Sequence, residues 1–409
     1  VIIMQKRNLL IMWIANFFVA ASATMVLPFI SLYIETFDSF SDAYVQRWSG
    51  FIFGITFLVA FFVSPLWGRF GDKFGRKKIL LITGYGIALS IFLMSFINSV
   101  EGLFILRMFM GVVTGFIPTS MALISAQTEK EIAGKVLGTL QMGTVSGGLF
   151  GPLLGGLLAD SVGFTYTFFI TGIVISLATT FVLFGIKEVT VKENQAKEPK
   201  RTMKEVIQYV LADRILVMVM VASLIVQTAN FSIQPQLALY AGQLLTTENI
   251  AFLAGLAFSV TGLGNLIATR FWGSQGDRVG HARILLICLI IGGIFFLPQA
   301  FVTNIWQLVI LRFIFGMAIG GIIPCATAYI RQAVPVSMQG EVLGYNQSFR
   351  FLGNVVGPVT GGIAAGIAGI SSVFYMSSLL FFAAALMLFL ILKAHARKLN
   401  IKKSISVNE

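Results

Sequence analysis

Apolar stretches of about twenty residues alternate with short polar connections along the whole chain, and twenty residues is what an α-helix needs to cross a bilayer. The apolar runs cover 9–33, 48–67, 79–98, 103–125, 134–159, 164–186, 215–240, 250–272, 284–302, 306–330, 339–366 and 372–392. Membrane β-strands would show shorter segments of alternating polarity. Buried helices of a large water-soluble protein would need amphipathic helices around them, and the runs contain none. The pattern therefore predicts an all-α integral membrane protein with twelve transmembrane helices, numbered here as spans 1 to 12.

Composition agrees. Of 409 residues 57% are hydrophobic and 11% charged, less than half the ~25% charged residues of a typical soluble domain. The net charge of +12 would by itself point to nucleic acid. The placement of the charges points elsewhere. Apart from Arg47, and from Arg107, Arg312 and Arg350 inside spans, the other 25 of the 29 basic residues fall in or beside the N-terminus, every second connection, and the C-terminal tail. By the positive-inside rule those segments are cytoplasmic, so both termini are expected on the cytoplasmic side of a cell membrane and no nucleic-acid partner is expected. An even number of spans requires the termini to share a side. Cys288 and Cys325 lie in apolar runs with no disulfide or zinc spacing, and no metal site or catalytic group is expected.

The longest polar stretch, 187–213, divides the chain into a first six-span bundle (1–186) and a second (214–392), followed by a tail at 393–409. Residues 201–211 of this linker have the pattern of an amphipathic helix lying on the membrane surface. The halves repeat. A shift of 205 residues places Trp67-Gly68 on Trp272-Gly273, Gly71-Asp72 on Gly276-Asp277, Gly75 on Gly280, Arg107 on Arg312 and Gly111 on Gly316. A shift of 206 places Pro118 on Pro324, Gly134 on Gly340, Gln141 on Gln347, Gly151-Pro152 on Gly357-Pro358 and Gly155-Gly156 on Gly361-Gly362. Parallel six-helix repeats are a known plan for secondary transporters, with the substrate site between the halves and alternating access by rocking.

The connection between spans 2 and 3 reads Gly68-Arg69-Phe70-Gly71-Asp72-Lys73-Phe74-Gly75-Arg76-Lys77-Lys78. Its glycines permit a tight turn, and an acid such as Asp72 suits the positive end of a neighbouring helix. The loop resembles the G-x-x-x-D-[RK]-x-G-R-[RK] signature of the major facilitator superfamily, and the resemblance covers the whole chain. It implies a conformational latch made by Gly68, Asp72, Gly75 and Arg76, with Asp277 in the weaker second copy. Asp72 would meet the start of span 11 near Gly340, and Arg76 would meet Glu129 or Glu131. Leu106-Arg107 with Gly111 and Gly115 in span 4 resembles the arginine motif of the family's proton-coupled members. The run Gly147-Gly148-Leu149-Phe150-Gly151-Pro152-Leu153-Leu154-Gly155-Gly156 resembles the G-x-x-x-G-P-x-x-G-G signature of its antiporters, mostly exporters. Small residues four apart let helices pack closely, and Pro152 favours a bend, so Gly147, Gly151, Pro152, Gly155 and Gly156 are the expected hinge.

Polar groups within spans are few, and Asn16, Gln141, Gln227, Asn230, Gln234, Gln347 and Asn354 are the candidates for a substrate cavity. Arg350, near the middle of span 11 and unmatched in span 5, joins them, because a charge inside a span is functional by default. An apolar cavity with a few polar groups suits a lipophilic ligand. No acid lies in the middle of a span. Glu35, at the end of span 1, is the candidate for proton coupling together with Arg107, and Asp160 is a weaker one. A cavity lined by unmatched arginines disfavours simple lipophilic cations. No G-x-x-x-x-G-K-[ST] loop is present, so the energy source is expected to be the proton gradient, with no cofactor. The expectation is a monomeric multidrug exporter of the twelve-helix drug/proton antiporter branch, not an enzyme. Its alternatives are an exporter of a sugar or another metabolite, and a flippase of a lipid-linked anionic molecule, on the same fold.

Overall fold

The computed structural model describes residues 2–128, 133–186, 203–244 and 249–406. Among them are 12 helical segments long and apolar enough to cross a membrane: Lys6–Glu35, Asp42–Val63, Arg76–Met94, Val100–Ala126, Val136–Val162, Phe164–Gly185, Arg214–Leu244, Ile250–Val279, His281–Phe301, Ile305–Ala333, Glu341–Ala368 and Ser371–Arg397. These are spans 1 to 12, and the helix of span 2 continues to Phe74. The chain termini emerge at the same end of the bundle, called here the near end. Most of the linker, 187–202, lies outside the described residues, whereas the expected amphipathic segment is a helix over Met203–Ala212. Its Val206 and Val210 are buried, and Tyr209 donates its hydroxyl proton to the carbonyl of Ala333 at 2.8 Å, which fixes the helix beneath the second half.

The internal repeat governs how the helices start and stop. Ser99 and Asn304, 205 residues apart, cap the first turns of spans 4 and 10 by accepting from Gly102 N (3.2 Å) and Trp306 N (2.8 Å). Each side chain satisfies an amide that the helix start leaves free. The residues with positive φ are Gly75 (98°), Gly163 (85°), Gly280 (103°) and Gly369 (80°), which form two pairs related by the repeat. They turn the chain between spans 2 and 3, 5 and 6, 8 and 9, and 11 and 12, where a Cβ would be strained.

Four spans are interrupted, and they are pseudo-symmetric: 1, 4, 7 and 10. Span 1 passes through a 3-10 turn at Leu27–Phe29 and span 7 through one at Gln234–Gln236, each holding a proline. Span 4 breaks between helices Val100–Val112 and Phe116–Ala126, and span 10 between Ile305–Ile319 and Ile322–Ala333. A free carbonyl inside a membrane costs several kcal/mol, and the repeat supplies the same remedy twice. The indole of Trp67 donates to Val112 O at 2.6 Å, and that of Trp272 donates to Met317 O at 2.8 Å. Gly115 and Gly321 leave room for the rings: a Cβ there would sit 2.6 Å from an atom of Trp67 or Trp272. The helices carrying Pro152 and Pro358 run unbroken, Ala133–Val162 and Val336–Ala368, so the interruptions fall in these four spans and not at the expected hinge.

Within each half, glycines admit backbone against backbone. A Cβ on Gly143, Gly147, Gly151 or Gly155 of span 5 would come within 2.7, 2.2, 2.3 or 2.6 Å of the carbonyl oxygens of Trp13, Phe17, Ala21 or Met25 in span 1. Span 11 repeats the pattern on span 7, with Gly353, Gly357 and Gly361 against Leu224, Thr228 and Ser232. Apolar side chains gain little from leaving lipid for protein, so this close packing is what holds such helices together. Gly151→Leu is therefore expected to separate spans 1 and 5 and to destabilise the protein by about 2 kcal/mol or more. Gly148, with no atom within 4 Å of its built Cβ, is the control: Gly148→Ala should be neutral or stabilising by about 0.5–1 kcal/mol. Melting temperatures of the two purified variants in detergent check the pair.

Candidate transport cavity and its closure

The two halves meet across spans 2 and 11 and across spans 5 and 8, and the close approaches lie toward the far end. The far end carries a reciprocal pair of glycine notches on each side. Gly255 of span 8 faces Pro152 O, and Gly156 of span 5 faces Ala251 O, with built Cβ distances of 2.2 and 2.3 Å. Gly50 of span 2 faces Pro358 O, and Gly362 of span 11 faces Gln46 O, at 2.2 and 2.6 Å. Gly50 and Gly255 are themselves a repeat pair at a shift of 205, a signal the sequence carries. The antiporter-like run thus has two faces. Gly147, Gly151 and Gly155 hold span 1, while Pro152 and Gly156 meet the other half.

Two polar contacts reinforce this closure. Gln236 Nε2 donates to Gln46 O at 2.9 Å. Asp160, at the end of span 5, accepts from the backbone amides of Ala251 (3.2 Å) and Phe252 (2.7 Å), the second and third residues of the helix of span 8. A carboxylate from one half thereby caps a helix start in the other, where the helix dipole favours negative charge. Asp160 was a weak candidate for proton coupling, and its geometry makes it a clasp between halves. Phe231 of span 7 adds edge contacts to Phe53 and Phe57 of span 2, with ring centres 5.9 and 5.8 Å apart. At the near end the facing helices are open. Gln141 and Met142 of span 5 and Gly344 and Gln347 of span 11 are exposed, and among the described residues no atom of another element lies within 4 Å of a Cβ built on Gly138, Gly273 or Gly344.

Below the closure lies a cavity of about 270 Å³, walled by Ala23 and Leu27 of span 1, Phe57 of span 2, Arg107 and Thr114 of span 4, and Phe351 of span 11. Arg107, expected to tune a proton site, is the one charged group in its lining. None of the eight polar side chains expected around the substrate lines this pocket. Gln227 Nε2 donates to Asn354 Oδ1 (3.1 Å) and Arg350 Nη1 to Gln347 Oε1 (2.9 Å), which makes a polar strip along spans 7 and 11. Asn16 is fully buried with neither side-chain polar atom bonded. It shares a face of span 1 with Ala23, two turns nearer the near end. The side-chain oxygens of Asn230 and Gln234 are also buried and unbonded, and Gln141 is exposed.

The structure does not bring Glu35 and Arg107 together. Glu35 is exposed at the end of the helix Ile30–Glu35, and Arg107 is 2% exposed. At the near end, Gly75 makes the expected turn, and Arg76 Nη1 donates to Ala122 O at 2.7 Å, a helix carbonyl of span 4. Glu129 and Glu131, its expected partners, lie outside the described residues. The same holds for the side chain of Asp72, for Gly68 and for the surroundings of Gly340. Asp277 Oδ1 lies 3.3 Å from Nε2 of His281, a contact that becomes an ion pair when the imidazole is protonated.

Replacing Asp160 with Leu should weaken the far closure by about 1–2 kcal/mol, the worth of a helix cap aided by the dipole. Asp160→Asn keeps one acceptor and should retain most of it. Spin labels at the exposed Val162 and Phe301 read the outcome by electron–electron distance measurement. A longer-distance population should grow in Asp160→Leu, and an unchanged distribution would show that the clasp carries no weight.

Comparison with known proteins places this architecture. The profile described as the Major Facilitator Superfamily matches residues 12–254 and 245–406. An uncharacterized MFS-type transporter of Bacillus subtilis (strain 168), YuxJ, is 60% identical over 382 residues, covering 93% of this chain and 97% of that protein. The multidrug resistance protein MdtG of Salmonella typhi is 38% identical over 377 residues, covering 91% and 92%. Among solved structures, a bacterial homolog of the human lysosomal transporter Spinster, inward-facing and unoccupied, superposes with a TM-score of 0.78 at 14% identity, over 95% of this chain and 97% of that one. The nucleoside transporter NupG does so with 0.76 at 12% identity, over 95% and 99%. The twelve spans, the six-helix repeat and these matches together establish that the chain is a multi-pass membrane transporter belonging to the major facilitator superfamily.

Proposed function

We propose that the chain exports lipophilic, drug-like compounds from the cytoplasm in exchange for protons, by alternating access. The observation that carries this reading is the 38% identity, over nearly the full length, to a protein named for multidrug resistance. The mostly apolar cavity and the Gly-Pro run of span 5 support it. The bundles 1–186 and 214–392 are the rocking units, joined by the linker 187–213. The basic connections assign the near end, with both termini, to the cytoplasm of a bacterial inner membrane. The closed far end and open near end are then the inward-facing state, ready to take substrate from the cytoplasm or the inner leaflet.

In this scheme the substrate rests between the apolar wall of the first half and the polar strip Gln227, Gln347, Arg350 and Asn354 of the second. Asn16, Gln141, Asn230 and Gln234 supply further donors and acceptors as the halves rock. The outward-facing state parts Gly156 from Ala251 and Gly50 from Pro358, and brings Asp72 and Arg76 into the near-end latch with Gly340. Glu35, beside the far opening, is the carboxylate proposed to take up the external proton.

Proteoliposomes with an imposed pH gradient test the scheme. The wild type should export Nile red, an uncharged lipophilic dye, only while the gradient stands. Glu35→Gln should lose the gradient dependence, and Arg350→Ala should lower the rate about tenfold, the loss of one charge-assisted contact. Wild-type behaviour in both variants would remove these two assignments, and no export by the wild type would remove the exporter reading.

A further inference from the structure

Three arginines lie within spans, Arg107 and Arg312 buried and Arg350 half-buried, and no carboxylate of the described residues lies within the 4.0 Å ion-pair distance of any of them. A charge removed from water without a partner costs several kcal/mol, so each arginine needs an explanation. Arg312, fully buried, donates from Nε to Ala257 O of span 8 at 2.7 Å, which ties it to the scaffold, while its Nη1 and Nη2 are buried without a partner. Nη1 of Arg350 is held by Gln347, and its Nε is buried without a partner. Arg107, the repeat mate of Arg312, lacks the matching anchor. The residue equivalent to Ala257 in span 2 is Ile52, yet Nε of Arg107 is buried without a partner. Its polar contact is Nη1 on the thioether of Met110 at 3.5 Å, and sulfur of this kind is a weak acceptor.

Arg107 itself lines the cavity. Its neighbours there are mostly apolar, with two hydroxyls, those of Thr56 and Thr114, whose protons are already donated to Arg107 O at 2.9 Å and Gly111 O at 2.8 Å. A volume of about 270 Å³ is at or below the small end of sites that enclose a whole drug-sized ligand. It suits one end of a molecule whose remainder extends toward the open near end.

We propose that this cavity is a subsite for an oxyanionic group (carboxylate, phosphonate or phosphate) carried on an apolar body, with Arg107 as its counter-ion. The proposal rests on the exporter reading and adds to its lipophilic substrates a preferred class, amphiphilic anions. Guanidinium matches such groups with paired hydrogen bonds, and desolvated surroundings strengthen the pairing. A lipophilic amine meets the same arginine as a like charge. An uncharged isostere leaves the buried cation as it was and gains nothing from it.

Titration calorimetry on the purified full chain in detergent, with 4-butylbenzoate, its amide and 4-butylbenzylamine, tests this directly. The wild type should bind the benzoate about tenfold or more tighter than the amide, and the amine weakest. Arg107→Met should bring benzoate and amide to within about twofold, and Arg107→Lys should keep part of the preference. Dihexanoyl phosphatidate against dihexanoyl phosphatidylcholine tells whether a lipid headgroup satisfies the site as well. Failure of the wild type to bind the benzoate, equal binding of benzoate and amide, or a preference that survives in Arg107→Met overturns the proposal. Thermal melting without ligand guards against a merely structural arginine: Arg107→Met should melt no lower than wild type, because it removes an unpaired buried charge, and a marked drop overturns the assignment. Nile red export reads the parent hypothesis separately. Its persistence alongside indifferent calorimetry would remove the subsite alone, and its absence alongside selective calorimetry would remove the export alone.

Discussion

Helices that sit in lipid gain little from hiding apolar side chains in one another, so their association depends on how closely backbones approach. In this transporter that constraint is met by glycine rows on spans 5 and 11, and the rest of the architecture follows from them. One face of each row locks its helix to span 1 or span 7 within its own half. Offset by one residue, Gly156 and Gly362 meet the other half, where Gly50 and Gly255 return the contact. The same two helices are thus part of a fixed core and part of a separable interface. The difference lies in position along the bundle. The contact within a half recurs over three or four turns, whereas that across the halves is gathered toward one end, where Gly54 and Gly366 add looser approaches to Val355 O and Ala43 O (3.2 Å each) beside the notches of Gly50 and Gly362. An interface gathered at one end can part there while the core stays intact.

The interrupted spans answer a second demand. A cavity in the middle of a bundle needs helices that shape it, and an interrupted helix in a membrane exposes backbone carbonyls. Spans 4 and 10 meet this with an indole from the neighbouring helix, and the glycines that admit the ring sit at the break itself. The Trp-Gly repeat is thereby explained by hydrogen-bond satisfaction. The turn at Gly75 and its copy at Gly280 lies eight residues beyond each tryptophan.

The twelve spans, the division after span 6 and the repeat were readable because each is a pattern over many residues, and length, polarity and spacing carry such patterns without reference to tertiary contact. The turn glycines Gly75 and Gly280 were readable for a local reason, positive φ. The site was less readable. Pro152 drew attention as a hinge, yet the helix runs through it and its carbonyl is what Gly255 approaches. Asp160 looked like a poor proton carrier because nothing local reveals a helix start from the other half above it. Arg107 was assigned to proton coupling through its motif, whereas its place in a cavity wall and its missing anchor depend on where span 2 lies. The glutamines and asparagines were grouped by being polar within spans. Which of them bond one another, as Gln227 and Asn354 do, depends on helix rotation, and composition carries no trace of it.

Charge is distributed in a way that links these observations. The far closure draws its electrostatics from a carboxylate on backbone amides, and the near loop places Arg76 on a backbone carbonyl. Both contacts use helix ends as partners. A helix end is a partial charge that stays in place when the opposite group leaves, and water can take over its unsatisfied amides or carbonyls at the membrane surface. Parting such a contact therefore strands no full charge in lipid, as breaking a buried ion pair would. Arg107, Arg312 and Arg350 are the exceptions, full charges held deep within spans. Among the described residues none of the three has an acidic partner, which leaves positive potential along the middle of the bundle, a field that any passing substrate must meet.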